Sequence, residues 1–303
     1  VPRLWRRPIR AACGAVRSIL FGTASRDRYL ESGRTLPGGG VLNMAYHWAA
    51  AGKEFLLQTR IGSNDQDLFV EFLERNGIPY LPASLIAPGE SSSIDIRIGA
   101  DRQPQMDNYI EGVWEVVHST PEELASLATA THWHTVLVEG AIAELERLTA
   151  AGHLAHVQVS ADFLGFRHYT PERFRDTLAH IDLAFIGWQG AREDASLAEV
   201  RRSVLEAQKV AVVTLGAQGV LVVDGKNQTE TFYPTVAVPV AGSTIGCGDA
   251  FIAAFLLAYQ AGASLSDSVA AGQAAGAAAT AWSLPLPDEA PRRCCGSCRS
   301  NGV

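Results

Sequence analysis

The sequence predicts an α/β protein whose central sheet is mostly parallel and is covered by helices. After Pro121, short apolar runs that suit buried strands alternate with longer patterns that suit helices. This alternation is typical of parallel sheets, because a parallel connection returns across the sheet through a helix. The chain has 303 residues, of which 47% are hydrophobic and 19% are charged, which suits one large α/β domain or two small ones.

The N-terminal half begins with two pairs of a strand and a helix. Residues 18–22 form a short apolar run that ends in glycine, as a buried first strand would. A helical pattern covers 41–51, a second strand 55–61, and a second helix 68–75, which ends at the natural cap Asn76-Gly77. The polar segment TASRDR follows the first strand and contains Asp27.

Residues 93–113 stand outside this main pattern. Polar and apolar side chains alternate over 93–98, which predicts a half-exposed strand, and 106–113 returns beside it across a turn-rich segment. We therefore expect a small sheet or lid. Its apolar face, formed by Ile94, Ile96 and Ile98, would suit either a homodimer contact or packing on its own domain.

The second half carries the regular alternation. The predicted strands are 133–138, 156–161, 182–186, 210–214 and 220–223, and the predicted helices are 141–151, 192–208, 249–261 and 266–282. Ligands in such folds collect at the carboxyl ends of the strands. Asp27, Gly216 and Asp249 all follow strands or begin helices, so they can converge there.

A glycine-rich turn opens the helix predicted at 249–261. Gly242, Gly246 and Gly248 lie within seven residues, and Asp249 follows at once. The first N–H groups of a helix have no partner within it, and the helix dipole favours negative charge there, so this turn predicts an anion site. Asp249 is then interpreted as a general base for a hydroxyl that attacks phosphorus. The alternative is an ordinary N-terminal Asp that stabilises the helix dipole.

Composition limits the partners. The net charge of −7 and the pI of about 5.6 argue against a nucleic-acid partner, which needs a basic face. No run reaches about 18 unbroken apolar residues, so we expect no membrane partner. The five cysteines form no disulfide framework, which favours a cytoplasmic location.

The two ends differ from the rest. Residues 1–16 are arginine-rich and are predicted to be a loose extension, and 283–303 are predicted to be a disordered tail, which leaves 17–282 as the domain. The tail holds Cys294, Cys295 and Cys298, but structural zinc normally needs four ligands, so we predict no metal site there.

Three ordered motifs resemble those of the ribokinase-like (PfkB) carbohydrate kinases over roughly 17–282. They are Gly38-Gly39 followed by Asn43-Met44-Ala45, then Thr214-Leu215-Gly216-Ala217-Gln218-Gly219, and finally Ser243-Thr244-Ile245-Gly246-Cys247-Gly248-Asp249. The segment 109–113 is most similar to the fructoselysine 6-kinase or fructosamine kinase branch. The resemblance implies a three-layer αβα sandwich with a small β lid.

The resemblance also implies roles for particular residues. Asp249 would deprotonate a sugar hydroxyl, and the N–H groups of Gly246, Cys247 and Gly248 would bind the transferred phosphoryl group. The expected sugar-binding residues are Asp27, Gly38, Gly39 and Asn43, and the expected nucleotide-binding residues are Thr214, Gly216 and Gly219. ATP would be the phosphoryl donor, with Mg²⁺ held mainly by phosphates and water, and the substrate would be a small sugar.

Some residues depart from the family pattern. Ser243 stands where the family has Asp, which leaves dependence on a monovalent cation open. Cys247 replaces Ala, and a thiolate is favoured at a helix N-terminus, so we expect oxidation there to block phosphate binding. The Asn-x-x-Glu motif that orders the water bound to Mg²⁺ should fall near 185–194, but this segment, FIGWQGARED, has no Asn.

Alternatives stay open for these residues and for the whole chain. Asp27 could be a solvated loop acid, Asn43 could face outward, and Gly216 and Gly219 could serve only a β-turn. A catalytically weak sugar- or nucleotide-binding regulator would explain the departures. A nucleoside kinase of the same fold is a further alternative.

Overall fold

The structure is a computed structural model and describes residues 17–166, 169–287 and 290. The expected extension at 1–16 and the cysteines of the tail lie outside these residues. The strands described are β1 (Ser18–Phe21), β2 (Ser25–Tyr29), β3 (Arg34–Gly38), β4 (Leu56–Gln58), β5 (Ile61–Gly62), β6 (Ile86–Ala87), β7 (Ser92–Ile98), β8 (Pro104–Ile110), β9 (His132–Val136), β10 (Gln158–Asp162), β11 (Leu183–Gly187), β12 (Val210–Thr214), β13 (Gly219–Asp224) and β14 (Thr229–Pro234). The helices described are α1 (Gly40–Ala50), α2 (Gln66–Arg75), α3 (Pro82–Leu85), α4 (Pro121–Leu127), α5 (Glu139–Ala150), α6 (Pro171–Leu178), α7 (Ala195–Glu206), α8 (Cys247–Gln260) and α9 (Leu265–Ala279).

The main sheet has the order β14-β13-β12-β11-β10-β9-β1-β4. The strands from β12 to β4 run parallel, and β13 and β14 continue antiparallel at one edge. Successive side chains enter opposite cores: Ile19 packs on the face covered by α5, α6 and α7, and Leu20 packs on the face covered by α1, α2 and α8. The predicted α/β fold, with a mostly parallel sheet between two helical layers, is confirmed. No helix in the described part of the chain is long and apolar enough to span a membrane.

A second, four-stranded sheet forms the lid in the order β3-β2-β7-β8. The sequence analysis expected only its strands near 93–113, and β2 and β3 were not predicted. In β2, the buried positions are Ser25, Asp27 and Tyr29, and arginines alternate with them. Because two of the three inward residues are polar, the strand lacks the apolar alternation by which strands are recognised.

The apolar face of the lid packs on its own chain. Ile96 is buried with Tyr29, Leu36 and Ile245, and Ile94 and Ile98 pack against this cluster. Of the two interpretations of this face, the structure shows the second. A homodimer stays a prediction without support from these three isoleucines.

The packed part of the chain continues beyond residue 282. Leu286 and Ala290, which the sequence analysis assigned to the disordered tail, are buried in the core beneath α1 and α8. Pro285 lies against Gly246, so this segment also supports the glycine-rich turn. The remainder of the expected tail, 288–289 and 291–303, lies outside the described residues.

A row of buried polar side chains crosses the sheet on the α8 side. The Ser18 hydroxyl donates to Gln260 at 2.9 Å, and the Gln260 amide donates to His132 at 2.5 Å. The Ser160 hydroxyl is hydrogen-bonded to His132 at 2.9 Å and to His134 at 2.7 Å. Burial lowers the pKa of His132 to about 3 and the pKa of His134 well below its ordinary value of 6.5. Both rings are therefore neutral in the folded protein.

We predict that the burial of neutral His132 and His134 contributes stability that is lost as pH falls below about 6.5, because there the unfolded chain protonates histidines that the folded chain keeps neutral. For each of the two histidines the loss is about 1.4 kcal/mol per pH unit. Urea unfolding between about pH 7.5 and about pH 5 measures it. His134→Gln should flatten the dependence, and His156→Gln, at an exposed position, should not. The raised pKa values of Asp162 and Asp249 act in the opposite direction, so the quantity to compare is the difference in unfolding free energy between the wild type and His134→Gln. A difference that does not change with pH would contradict the prediction.

Candidate active site

The glycine-rich turn leads into the first turn of α8. Gly246 has φ 77°, and a Cβ atom there would lie 2.6 Å from the Cα atom of Pro285, so this position requires glycine for both conformation and space. A Cβ atom at Gly248 would meet no heavy atom within 4 Å, so the helix end is open on that side. At the start of the 14-residue helix α8, the Cys247 N–H donates to the Thr244 carbonyl oxygen at 3.3 Å. Of the three N–H groups expected to bind the phosphoryl group, this one already has a partner within the turn.

Asp249 lies in this first turn and is held by α1. The Asn43 Nδ2 atom donates to Asp249 Oδ2 at 2.7 Å. A Cβ atom at Gly40 would lie 3.2 Å from Asp249 Oδ1 and 3.0 Å from Val136 Cγ2, so α1 begins directly against the carboxylate. Burial raises the pKa of Asp249 to about 6, and the hydrogen bond from Asn43 opposes that rise. The carboxylate is ionised at neutral pH and is a stronger base than a solvated Asp.

The lid contributes the expected sugar-side residues. Asp27 is 5% exposed and accepts a hydrogen bond from the Ser25 hydroxyl at 2.7 Å. Gly38 pairs with Ser25 on the neighbouring strand, and a Cβ atom at Gly38 would lie 2.0 Å from Asp27 Oδ2. Gly39 has φ 102°, and a Cβ atom there would lie 2.4 Å from the Thr23 carbonyl oxygen. Asp27 is therefore a buried strand residue rather than a solvated loop acid, beside the two glycines that lead into α1.

The structure also excludes the alternative that Asn43 faces outward from its helix. It is 5% exposed and directed at Asp249, so it does not face outward. The structure brings Asp27, Gly38, Gly39, Asn43 and Asp249 together along one continuous path from β2 through the start of α1 to the start of α8.

The expected nucleotide-side residues lie on the turn from β12 to β13. Thr214 ends β12, and its carbonyl oxygen accepts from the Trp188 N–H at 2.8 Å. Gly219 has φ 145°, and a Cβ atom there would lie 2.4 Å from the Tyr233 carbonyl oxygen. Gly216 has φ 57° and open space around it. The turn occupies the same carboxyl edge of the parallel strands as Asp249, but its glycines are also explained by their backbone conformation.

The lid touches the glycine-rich turn at the tip of its β7–β8 hairpin. The Thr244 N–H donates to the Arg102 carbonyl oxygen at 3.0 Å, and the Thr244 hydroxyl donates to Gln103 Oε1 at 2.8 Å. The lid and the glycine-rich turn are thus hydrogen-bonded to each other.

The family of the chain follows from its similarity to known proteins. Residues 20–282 match the pfkB family carbohydrate kinase. The chain belongs to this family. Fructoselysine 6-kinase of Escherichia coli (strain K12) is 26% identical over 263 residues, which cover 83% of this chain and 92% of that protein.

Solved structures with the same fold include an adenosine kinase and a ribokinase. Adenosine kinase from Sinorhizobium meliloti has a TM-score of 0.73 at 18% identity, over 90% of this chain and 96% of that one. Arabidopsis thaliana ribokinase, in complex with ribose and ATP, has a TM-score of 0.68 at 19% identity, over 87% of this chain and 92% of that one. At these identities the likeness shows the ribokinase-like fold, and the family match shows that the chain is a carbohydrate kinase.

At two departures from the pfkB pattern, the side chains are bonded to nearby parts of the chain. The Ser243 hydroxyl donates to the carbonyl oxygens of Trp282 at 3.4 Å and Ser283 at 3.3 Å. In the segment 185–194, Trp188 Nε1 donates to Asp194 Oδ2 at 3.0 Å, and Glu193 forms an ion pair with Arg192. The acids of this segment are therefore engaged within their own loop.

The expectation of a reactive thiolate at Cys247 is wrong. The side chain is half-buried, and burial and the charge of Asp249 together raise the pKa of the thiol to about 11. These two effects outweigh the favourable end of the helix dipole.

The structure adds one candidate residue that the sequence analysis did not name. Asp162 ends β10, is 7% exposed, and accepts a hydrogen bond from the Leu164 N–H at 2.9 Å. Burial, and secondarily the charge of Asp249, raise the pKa of Asp162 to about 7, so two carboxylates share the site. An acid at the last position of a strand in a parallel sheet was the signal that could have found it.

We predict that Cys247 resists alkylation in the folded protein. Iodoacetamide near pH 8 should label it far more slowly than in urea, because a pKa of about 11 leaves a much smaller fraction of thiolate than the ordinary thiol pKa of about 9. Peptide mapping by mass spectrometry after short exposures measures the rate, and the same peptide from the unfolded chain is the control. Equal rates in the two states would contradict the raised pKa.

Proposed function

We propose that this pfkB-family enzyme transfers the γ-phosphoryl group of ATP to a primary hydroxyl of a sugar, with a fructosamine-type sugar as the first candidate. The observation that carries the proposal is the position of Asp249, in the first turn of α8 and hydrogen-bonded to Asn43. A carboxylate beside an anion site repels phosphate, so it needs a role that offsets this repulsion. Taking the proton of an attacking hydroxyl is such a role.

The residues around Asp249 would each contact a different part of the substrates. Asp27 and Asn43 would hold hydroxyls of the sugar, one from the lid and one from α1. The N–H groups of Gly246, Cys247 and Gly248 would stabilise the negative charge of the phosphoryl group as it moves. Thr214, Gly216 and Gly219 would border the nucleotide, and the lid would exclude water from the sugar. Mg²⁺ bound with ATP would offset the phosphate charge.

ATP is supported by relatives of the same fold. The Arabidopsis thaliana ribokinase structure contains ribose and ATP, and a ribokinase from Cryptococcus neoformans contains ADP. The fructosamine class is supported by the 26% identity to fructoselysine 6-kinase, which covers most of both chains.

A nucleoside acceptor is the second candidate. It is favoured by the fold likeness to adenosine kinase, at a TM-score of 0.73. A catalytically weak binding protein is the third, favoured by Ser243 and by the engaged acids of 185–194.

A coupled assay of ADP release decides among these candidates. The acceptors to compare are fructoselysine, other fructosamines, fructose, ribose and adenosine. We expect the highest kcat/KM with a fructosamine, and product analysis should place the phosphate on the primary hydroxyl. A preference for adenosine would replace the first candidate by the second. Calorimetric binding of a sugar without ADP release would favour the third.

The same assay tests the role of Asp249. Asp249→Asn should lower kcat by about 10²- to 10⁴-fold with little change in sugar affinity, because the amide cannot accept the proton. Asp267→Asn is a matched control, since Asp267 also lies in the first turn of a helix, α9. Full activity in Asp249→Asn would show that another group is the base.

We also predict that kcat/KM falls as pH drops below about 6, because protonation of Asp249 removes the base. Asn43→Leu should move this acid limb to higher pH, since the hydrogen bond that holds the pKa down is lost. Asn76→Ala, which removes an amide bonded at the end of α2, should leave the limb in place. A limb that does not move in Asn43→Leu would contradict the assigned hydrogen bond.

A further inference from the structure

The tip of the β7–β8 hairpin has a backbone conformation that its sequence does not favour. Residues 99–103 connect the last paired residues of the two strands, Ile98 and Pro104, and the Arg102 N–H donates to the Gly99 carbonyl oxygen at 2.9 Å. Arg102 itself has φ 65°. Hairpins with three-residue loops usually carry glycine at this left-handed position, because a side chain is disfavoured there. An arginine in this place indicates a contact that compensates for the strain.

Three hydrogen bonds join this tip to the glycine-rich turn. The Arg102 carbonyl oxygen accepts from the Thr244 N–H at 3.0 Å, and Gln103 Oε1 accepts from the Thr244 hydroxyl at 2.8 Å. Arg102 Nη1 donates to the Gly242 carbonyl oxygen at 3.4 Å. Thr244 is therefore bonded to the tip through both its backbone and its side chain.

Thr244 is the first residue of the turn that leads into α8. The Cys247 N–H donates to the Thr244 carbonyl oxygen at 3.3 Å, which closes a four-residue turn. Gly246, the third residue of this turn, has φ 77° and ψ −4°. These angles are those of the third residue of a type II turn. The position of Thr244 therefore determines where the turn lies and where the N–H groups at the start of α8 point.

The second residue of the turn is held by the lid as well. Ile245 is 3% exposed and packs in the apolar cluster of the lid with Tyr29, Leu36 and Ile96. Hydrogen bonds from the hairpin thus fix the first residue of the turn, and apolar packing on the lid fixes the second. The glycine-rich turn belongs to the main domain by sequence, but its start is positioned by the lid.

We propose that the hairpin tip positions the glycine-rich turn for phosphoryl transfer. Arg102 and Gln103 are positioning residues, which act through Thr244 rather than on the reacting groups. Asp27 lies on β2, the strand next to β7 in the same sheet. The sheet that is expected to contact the sugar therefore also sets the N–H groups that are expected to contact the phosphoryl group. This inference rests on the proposed ATP-dependent transfer to a sugar.

Two substitutions remove the side-chain bonds and leave the hairpin intact. Arg102→Gly gives the left-handed position its preferred residue, so the melting temperature should not fall. Gln103→Leu removes the acceptor for the Thr244 hydroxyl. In the double variant, kcat should fall by about 10- to 100-fold, because a small misplacement of the turn weakens its contacts with the reacting atoms. The KM for the sugar should not change, because Asp27 and Asn43 are untouched.

Two further variants are controls. Gln105→Leu makes the same change at an exposed position of the same hairpin, where Gln105 pairs with Arg97 on β7. Its kcat should equal that of the wild type. Gln103→Glu keeps an oxygen that accepts from the Thr244 hydroxyl, so it should retain most of the activity that Gln103→Leu loses.

Amide hydrogen exchange observes the turn without ATP or sugar. The N–H groups of Thr244 and Cys247 are hydrogen-bonded in the wild type, so they are protected from exchange. In the double variant, a peptide that contains this turn should exchange about 5- to 10-fold faster, as the loss of about one hydrogen bond implies. Peptides from β12 should exchange at the wild-type rate, and Gln105→Leu should not change either peptide.

Several results would overturn the proposal. Either an unchanged kcat or an unchanged exchange rate of the turn in the double variant would show that the tip does not position it. A loss confined to the KM for the sugar would assign the tip to the sugar pocket, and a lower melting temperature would make its role structural.

The two measurements also separate this inference from the proposed function. Faster exchange in the double variant, with no sugar phosphorylated by the wild type, would remove the proposed acceptor and still show that the tip holds the turn. Normal transfer to a sugar, with the same kcat and exchange in both proteins, would remove this inference alone.

Discussion

The site depends on the hydrogen bond between Asn43 and Asp249, which joins two helices whose bonded residues are 206 positions apart in sequence. The same two helices are joined again one turn further on, where Trp48 Nε1 donates to the Ala253 carbonyl oxygen at 3.0 Å. Burial makes the charge of Asp249 unfavourable, and the amide of Asn43 makes it favourable. The result is a carboxylate that is ionised near neutrality yet still basic, which is the property a general base needs.

The lid is tied to this pair of helices by the chain itself. Strand β3 ends at Gly38, and α1 begins at Gly40, so Asp27 on the neighbouring strand and Asn43 are separated by one tight connection. At its other end, the β7–β8 hairpin is bonded to Thr244 beside the glycine-rich turn. The lid therefore meets the rest of the protein at the two places where sugar and phosphoryl group are expected to lie.

Sequence reasoning worked where a buried surface is apolar and periodic, as in β1, β12 and α8. It did not find β2, because the buried face of this strand carries Ser25 and Asp27. A strand with polar residues on its buried face has the same residue types as a loop, so its sequence does not distinguish the two. The candidate residues themselves could be named from three motifs, but their contacts could not. Whether Asn43 faces Asp249 depends on how α1 packs on α8, a contact between distant parts of the chain.

The two errors at Cys247 and Asp162 have a common cause. In both cases the local pattern was interpreted without the charge that tertiary structure brings close. Cys247 stands at a helix N-terminus, where a thiolate is favoured, but Asp249 and burial reverse the effect. In the sequence, Asp162 is only an acid at the end of a strand. The fold places it beside Val136 on the next strand, and Val136 and Asp249 both border the Cβ position of Gly40.

The contact between Gly38 and Asp27 limits how this enzyme can be redesigned. The connection from β3 to α1 is also rich in glycine, and such a segment is a common choice for saturation mutagenesis because small residues suggest tolerance of change. At this turn, even one methyl group at position 38 would stand 2.0 Å from a carboxylate oxygen, and one at position 40 would press on both Val136 and Asp249. Libraries for new acceptors are better placed on exposed lid positions such as Met106 and Ile110, at 37% and 55% exposure, which leave this contact intact.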